Sequence, residues 1–196
     1  MLLEGKTAMV TGGGSGIGQS SAYAFGREGA RVAIFDCNAK AAKQRADELI
    51  SQRCEAMFFA GDVSREEDVR AGVAEISSRF GSIDILLNNA GVAIRQSVTE
   101  QDVAGWDRCM AVNLKGGFLC SKHVIPHMLN RGGSIINMSS VTGIVGVRNR
   151  SAYSASKGAI AALTRNMALD YARFQIRVNC VCPGFTTTPC DQRPVA

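Results

Sequence analysis

Two residues late in the chain have the types and the spacing of a proton-transfer pair. Tyr153 and Lys157 lie four positions apart, just before apolar residues with helical spacing. Residues four apart on a helix share a face, so the phenol and the ammonium would lie close together. A free phenol has a pKa of about 10, and a nearby ammonium lowers it towards the range of a useful general acid or base. Such a pair also occurs by chance, so its weight depends on the other motifs of the chain.

A glycine-rich segment follows the first apolar run of the chain. Gly12, Gly16 and Gly18 have the spacing G-x-x-x-G-x-G, and no glycine triplet fits G-x-G-x-x-G. Glycines let the backbone turn tightly and approach a pyrophosphate, and the N-terminus of the following helix favours anions. The segment predicts a dinucleotide site, and the alternative is a glycine-rich turn without a ligand.

An acidic residue ends the second apolar run. Asp36 lies twenty positions after Gly16. A carboxylate there accepts hydrogen bonds from both hydroxyls of an adenosine ribose and repels a 2′-phosphate. Cys37, Asn38 and Ala39 follow, and none of them is a cation that would receive that phosphate. This favours NAD(H) over NADP(H), and the alternative is an ordinary aspartate in a surface turn.

Small, acidic and amide residues follow the third and fourth apolar runs. Asp62 and Val63 come after one, and the sequence Asn88-Asn89-Ala90-Gly91 after the other. Such residues suit a flat ligand lying across the ends of neighbouring strands. Either segment can also be a simple turn.

Strand and helix patterns alternate along the chain and would position these residues. We predict strands over residues 7–10, 32–35, 56–60, 83–87, 134–138 and 176–181. We predict helices over 17–28, 39–52, 64–80, 101–129 and 152–172. Ser64 and Glu67 resemble a capping box, and a break is expected in the fourth helix near Gly116-Gly117.

This alternation predicts an α/β fold, a three-layer doubly wound parallel sheet of about six strands with right-handed crossovers. The 196 residues suit a single dinucleotide-binding domain of the Rossmann type, spanning 1–196. In such folds, ligands bind at the carboxyl ends of the strands.

Composition excludes several classes of function. The net charge is +5, but the Lys and Arg residues are scattered, so no nucleic-acid partner is expected. No apolar run is long enough for a membrane span, and the charged N-terminus is unlike a signal peptide, so we expect a cytoplasmic protein. His123 and His127 lie four apart without a third ligand, so no metal site is predicted.

Together these motifs resemble the short-chain dehydrogenase/reductase family. The resemblance rests on the glycine pattern, Asn88-Asn89-Ala90-Gly91, Ser140, Tyr153-x-x-x-Lys157 and Pro183-Gly184, in that order. It extends from about residue 6 to residue 189. It implies an oxidoreductase that transfers a hydride between a nicotinamide cofactor and a secondary alcohol or ketone.

The resemblance also implies a role for each matching residue. Tyr153 would be the general acid/base, Lys157 would lower its pKa and bind the nicotinamide ribose, and Ser140 would polarise the substrate oxygen. Asn113 would maintain a water-linked proton path to the lysine. The expected cofactor contacts are Gly12, Ser15, Gly16, Ile17, Gly18, Asp36, Asp62, Val63, Asn89, Ala90, Gly91, Tyr153, Lys157, Pro183, Gly184, Thr186 and Thr188.

Substrate recognition is where the sequence departs from the family pattern. Family members continue past Pro183-Gly184 with lid helices, a further helix and a seventh strand, whereas this chain ends eight residues after Thr188. We therefore expect the lid and the seventh strand to be absent, and a homodimer or homotetramer only if this permits one. Arg148 would attract an anionic substrate or be a solvated surface residue. The alternative function is a catalytically silent nucleotide-binding or regulatory form.

Overall fold

Six short, largely apolar segments form one parallel sheet. The computed structural model describes residues 1–187. The strands are β1 (Thr7–Thr11), β2 (Arg31–Asp36), β3 (Ala56–Ala60), β4 (Ile85–Asn88), β5 (Gly133–Met138) and β6 (Ile176–Val181). Their order in the sheet is β3-β2-β1-β4-β5-β6, and every pair is parallel. The chain reverses its direction of winding between β1 and β4, which is where a doubly wound sheet opens a ligand crevice.

Helices cover both faces of the sheet. They are α1 (Gly16–Arg27), α2 (Ala39–Ser51), α3 (Glu66–Phe80), α4 (Val103–Met110), α5 (Gly116–Met128) and α6 (Ser151–Tyr171). Successive strand residues point to opposite faces, so Val10 packs with residues of α1 and α2 while Met9 packs with residues of α3 and α5. The predicted three-layer doubly wound fold is confirmed. Among the described residues, no helix has both the length and the apolarity needed to cross a bilayer.

The predicted capping box at Ser64 is wrong. Helix α3 begins at Glu66, after Arg65, and no side chain caps it. Ser64 instead donates its backbone N–H and its hydroxyl to Asp62 Oδ1, each at 2.8 Å. The acidic first turn of α3 provides an alternative form of stabilisation, because carboxylates there interact favourably with the helix dipole.

The break predicted in the long helix near Gly116 takes the form of a change in helix type. A π-helical segment, Ala111–Lys115, separates α4 from α5, and Gly116 continues the helix with φ −58° and ψ −47°. A Cβ on Gly116 would lie 2.7 Å from Val63 Cγ2, so this glycine allows close packing and does not end the helix.

Candidate active site

A cleft of about 560 Å³ opens along the carboxyl ends of the strands. Most of the residues predicted to bind the cofactor or to act in catalysis line it. They are Gly12, Ser15, Gly16, Ile17, Asp36, Asp62, Val63, Asn89, Ala90, Gly91, Ser140, Tyr153, Lys157, Pro183, Gly184 and Thr186. The fold therefore gathers motifs from the whole length of the chain at the crevice that the topology creates.

Two of the predicted site residues in the described part of the chain do not line the cleft. Gly18 is buried beneath the glycine turn, and Asn113 is buried behind the loop that follows β4. Both support residues that line the cleft. Thr188 lies outside the described residues.

The glycine turn after β1 takes a shape that side chains would prevent. Gly12 has φ +64°, and a Cβ there would lie 2.8 Å from Ala90 Cα. A Cβ on Gly18 would overlap the carbonyl oxygen of Gly12. Glycine at these two positions lets the turn, the first turn of α1 and the loop after β4 come together, and the N-terminus of α1 favours an anion at this place.

Asn89 ties this glycine turn to the end of β4. Its side-chain amide donates to the carbonyl oxygens of Thr11 and Gly12, both at 3.1 Å. In return, the backbone N–H groups of Asn89 and Ala90 donate to Thr11 Oγ1 at 3.0 and 3.1 Å. The floor of the cleft is therefore one hydrogen-bonded unit built from two strand ends.

Asp36 is held at one end of the cleft by two backbone groups. The N–H of Gly14 donates to its Oδ2 and the N–H of Asn38 to its Oδ1, each at 2.9 Å. Asn38 in turn caps α2, because its Oδ1 accepts from the Ala41 N–H at 3.0 Å. The carboxylate is thus fixed in place before any ligand binds.

Tyr153 and Lys157 occupy the opposite end of the cleft, in the first two turns of α6. Lys157 is 95% buried, and its Nζ donates to the carbonyl oxygen of Met138 at 2.7 Å. Lys157 Nζ lies 5.6 Å from the centre of the Tyr153 ring, and the Arg150 guanidinium carbon lies 5.7 Å from it. The phenol ring therefore has two cations near it.

Ser140 joins this group from the end of β5. It begins the short 3₁₀ turn Val141–Gly143, and its Oγ accepts from the Thr142 N–H at 3.2 Å. The adjacent Ser139 donates its hydroxyl to the Lys157 carbonyl oxygen at 2.7 Å, which fastens β5 to α6. Ser140, Tyr153 and Lys157 are thereby assembled at one place by strand and helix backbone.

Asn113 lies in the π-helical segment and is 4% exposed. Its Oδ1 accepts from the Val92 N–H at 2.8 Å, and its Nδ2 donates to the Val92 carbonyl oxygen at 3.0 Å. The same Nδ2 lies 3.0 Å from Ser156 Oγ in α6. Burial raises the pKa of the neighbouring Cys109 thiol, so a neutral group completes this support.

Sequence reasoning missed two arginines that line the cleft. Arg108 belongs to α4, and Arg150 comes immediately before α6. Arg150 precedes Tyr153 by three positions, a spacing that places two residues on one helix face and would have identified it. Arg148, which the sequence suggested as an anion-binding residue, is exposed and is not among the residues that line the cleft.

The two histidines considered as metal ligands have separate partners. His123 Nε2 lies 3.0 Å from Glu66 Oε1, and His127 Nδ1 lies 3.2 Å from Ser77 Oγ. Within residues 1–187, no group of three or more His, Cys, Asp or Glu side chains is arranged to hold a metal ion.

The similarity to known proteins extends over nearly the whole chain. A family model described as short chain dehydrogenase matches residues 6–195. The uncharacterized oxidoreductase YxbG of Bacillus subtilis is 48% identical over 188 residues, which are 95% of this chain and 69% of the relative. The 2-(S)-hydroxypropyl-CoM dehydrogenase 3 of Xanthobacter autotrophicus is 44% identical over 187 residues, 95% of this chain and 73% of the relative. The crystal structure of levodione reductase superposes with a TM-score of 0.92 at 35% identity, covering 96% of this chain and 74% of that one.

Proposed function

Because the chain belongs to the short-chain dehydrogenase family, we propose that it interconverts a secondary alcohol and a ketone with NAD(H), using Tyr153 as the general acid/base. Family membership makes it an oxidoreductase that transfers a hydride between a nicotinamide cofactor and an alcohol or ketone. The silent nucleotide-binding alternative is not favoured, since the matched relatives are named as oxidoreductases, dehydrogenases or reductases.

The observation that carries the proposal is the grouping of Ser140, Tyr153 and Lys157 at one end of the cleft. When bound, the nicotinamide supplies or accepts the hydride. Tyr153 donates its phenolic proton to the carbonyl oxygen during reduction and takes it back during oxidation. Ser140 holds that oxygen through its hydroxyl, and the Lys157 ammonium stabilises the phenolate by its charge.

We propose that Asn113 supports the proton path behind Lys157. A Cβ on Gly91 would lie 3.2 Å from Asn113 Oδ1 and 3.6 Å from Lys157 Nζ. Glycine at this position therefore leaves space between the amide and the ammonium. A space lined by two such polar groups suits an ordered water, which would pass protons between the lysine and solvent.

The cofactor would lie along the cleft with its pyrophosphate over the glycine turn. Gly12, Ser15, Gly16 and Ile17 would contact the pyrophosphate, and Gly18 lets α1 approach it. Asp62 and Val63 would border the adenine, and Asn89, Ala90 and Gly91 the adjacent ribose. Pro183, Gly184, Thr186 and, beyond the described residues, Thr188 would contact the nicotinamide. The preformed glycine turn and the fixed carboxylate of Asp36 support this fit.

We propose that NAD(H) is preferred because of the charges at the adenosine end. Asp36 lines that end, so a 2′-phosphate there would meet a fixed negative charge. Among the described residues that line the cleft, the cations are Arg108, Arg150 and Lys157, and none of them lies in the segment directly after β2 or the segment directly after β3. A 2′-phosphate would therefore find repulsion without a compensating cation.

We also propose a cytoplasmic homo-oligomer. Exposed apolar side chains on α4 and α5 support an interface there, with Val103 74%, Trp106 38% and Phe118 47% exposed. Light scattering coupled to size exclusion tests this, and a monomer at micromolar concentration would contradict it.

The direct test of the proposed chemistry is Tyr153→Phe. Removing the hydroxyl removes the proton donor while the ring remains, so kcat should fall about 10²- to 10⁴-fold. NADH affinity, followed by nicotinamide fluorescence, should change little. Tyr171→Phe is the matched control, because Tyr171 ends the same helix and packs against Phe174. A Tyr153→Phe enzyme with wild-type turnover of a secondary alcohol such as cyclohexanol would refute the assignment.

A further inference from the structure

We propose that the substrate carries an anionic group, a carboxylate or a group of similar charge, which Arg108 and Arg150 bind beside Tyr153. This inference rests on the proposed function, since it names the substrate class of the same site. Three features of the molecule support it: the distribution of charge along the cleft, the placement of the two arginines and the chemistry of guanidinium groups.

Charge is segregated along the cleft. Among the described residues that line it, the only carboxylates are Asp36 and Asp62, which lie at the ends of β2 and β3. Tyr153 and Ser140 gather at the end of β5, three strand spacings from β2 in the sheet. That separation is roughly 14 Å at ordinary strand spacing. Among these described residues, cations line the reacting end and the carboxylates lie at the far end.

Arg150 is fixed next to the reacting group. Its guanidinium carbon lies 5.7 Å from the centre of the Tyr153 ring, and it lines the cleft. The following residue, Ser151, donates its hydroxyl to the Gln96 carbonyl oxygen at 3.1 Å, which ties this point of the chain to the loop after β4. Helix α6 begins here, so the positive end of its dipole adds to the attraction for an anion.

Arg108 lines the cleft from α4. The next residue, Cys109, is fully buried, and its Sγ lies 3.8 Å from Ser156 Oγ in α6. Cys109 Sγ also lies 3.9 Å from the Val92 carbonyl oxygen, and Val92 lines the cleft. The last turn of α4 is therefore packed beside the part of α6 that carries the catalytic pair, which places Arg108 at its margin.

Two arginines lining one cleft suit an anion better than a neutral substrate. A guanidinium offers planar paired donors that match a carboxylate, and such charge-assisted hydrogen bonds are stronger than neutral ones. A neutral alcohol would make no use of either charge in recognition. Lys157 is not available for this role, because its Nζ is buried and bonded to the Met138 carbonyl oxygen.

The test compares charged and neutral ketones of the same shape. The probes are 3-oxobutanoate, 4-oxopentanoate and 5-oxohexanoate, each paired with its carboxamide, so that three distances between the carbonyl and the anion are sampled. Reduction by NADH is measured for the wild type, Arg108→Gln, Arg150→Gln and Arg148→Gln. The last variant is the matched control, since Arg148 is two residues from Arg150 but exposed and off the cleft.

We expect kcat/KM for at least one carboxylate to exceed that of its amide about 10- to 100-fold in the wild type. Arg108→Gln and Arg150→Gln should each reduce this ratio, mainly through KM, while Arg148→Gln should leave it unchanged. Added salt should lower it in the wild type. Equal rates for acid and amide at all three lengths would overturn the inference, as would a ratio that survives both substitutions.

One further outcome distinguishes an anion site from a direct role of Arg150 in the reaction. If Arg150→Gln slows the acid and the amide equally, Arg150 acts through Tyr153 or the cofactor and the inference fails. Thermal stabilisation of the NAD⁺ complex by each keto acid and its amide gives a readout without turnover, because the oxidised cofactor cannot reduce a ketone. Selective stabilisation by the acid with no turnover of any alcohol would support the anion site and refute the proposed function. Turnover of cyclohexanol with no preference for acids would support the proposed function and refute the anion site.

Discussion

At the scale of single residues, Asp36 has a structural role and is also placed to serve the proposed recognition of the ribose. Its two oxygens already accept one backbone N–H bond each, from Gly14 and from Asn38. Each carboxylate oxygen has a second lone pair, so the side chain can still accept hydrogen bonds from a ribose. The position of this charge is therefore set by the protein, and the ligand must adapt to it.

Asp36→Asn should weaken the preference for NADH over NADPH. The amide keeps the shape, removes the charge that repels a 2′-phosphate and weakens the bonds to the ribose. We expect the ratio of the NADPH and NADH dissociation constants to fall about tenfold or more. Nicotinamide fluorescence titration measures both constants. Asp47→Asn is the control, because Asp47 is an exposed member of an ion pair with Lys43 on α2. An unchanged ratio would show that Asp36 does not contact the ribose.

Residue types were more predictable than side-chain directions. The sequence identified Arg148 as an anion-binding candidate, yet Arg150 and Arg108 line the cleft. Neighbouring residues before a helix point in different directions, and the direction depends on where the helix begins. Helix α6 begins at Ser151, which places Arg150 one turn ahead of Tyr153. The three-residue spacing of Arg150 and Tyr153 can be seen in the sequence. The placement of Arg108, in contrast, depends on how α4 packs against α6.

At the scale of elements, the π-helical segment Ala111–Lys115 lies beside the candidate active site, where Asn113 bonds Val92. One extra residue per turn changes which side chains share a face, and such segments are frequent at functional sites. Here it accompanies the burial of Asn113, whose amide bonds both backbone groups of Val92. Local sequence patterns cannot predict this contact, because the hydrogen bonds join residues 21 positions apart.

Asn113→Ala should destabilise the protein and the loop after β4 together. The substitution removes the side-chain amide, so the Val92 N–H loses its acceptor and the Val92 carbonyl oxygen loses the Asn113 donor. The free energy of unfolding should fall by about 2–4 kcal/mol, measured by urea denaturation. If the amide also supports the proton path, kcat should fall while NADH affinity is retained.

Asn113→Asp and Asn179→Ala are the comparison variants for that measurement. The aspartate keeps an oxygen for the Val92 N–H but cannot donate to the Val92 carbonyl, so an intermediate loss of stability is expected. Asn179 is exposed on β6, so its loss should cost little. Equal stability of Asn113→Ala and Asn179→Ala would contradict the structural role.

Most elements were predictable because their patterns are local. The predicted strands over 56–60 and 176–181 match β3 and β6, and the other strands agree to within two residues. An error arose where a different contact decided the outcome, because Ser64 bonds Asp62 and does not cap α3. The break near Gly116 is a change of helix type, and Gly116 makes room for Val63.

At the scale of the whole molecule, cysteine thiols with raised pKa values make the stability of the fold depend on pH in the alkaline range. Burial raises the pKa of the Cys120 thiol to about 12, and burial also raises the pKa of Cys54, Cys109 and Cys180. Below the ordinary thiol pKa, both the folded and the unfolded chain keep these protons. Above it, the unfolded chain releases protons that the folded chain retains, so rising pH favours unfolding.

Stability should therefore fall as the pH rises from the ordinary thiol pKa of about 9 towards 12. Cys120 alone should contribute about 1.4 kcal/mol per pH unit within this window. The measurement is urea denaturation under a reducing agent at several alkaline pH values, comparing wild type with Cys120→Ala. The variant should lose stability less steeply. Parallel curves for the two proteins would contradict the predicted linkage.

The bond between Asp36 and the Gly14 N–H has an evolutionary consequence. In the proposed function, one carboxylate would select the cofactor and also holds the turn proposed to receive the phosphates. A mutation that replaced Asp36 to accept a 2′-phosphate would also remove the acceptor of the Gly14 N–H. The single mutant would then bind either cofactor less well until a second mutation compensated. Changes of cofactor preference in this protein should therefore be epistatic, and they should succeed only in pairs that supply a new cation and a new acceptor for Gly14.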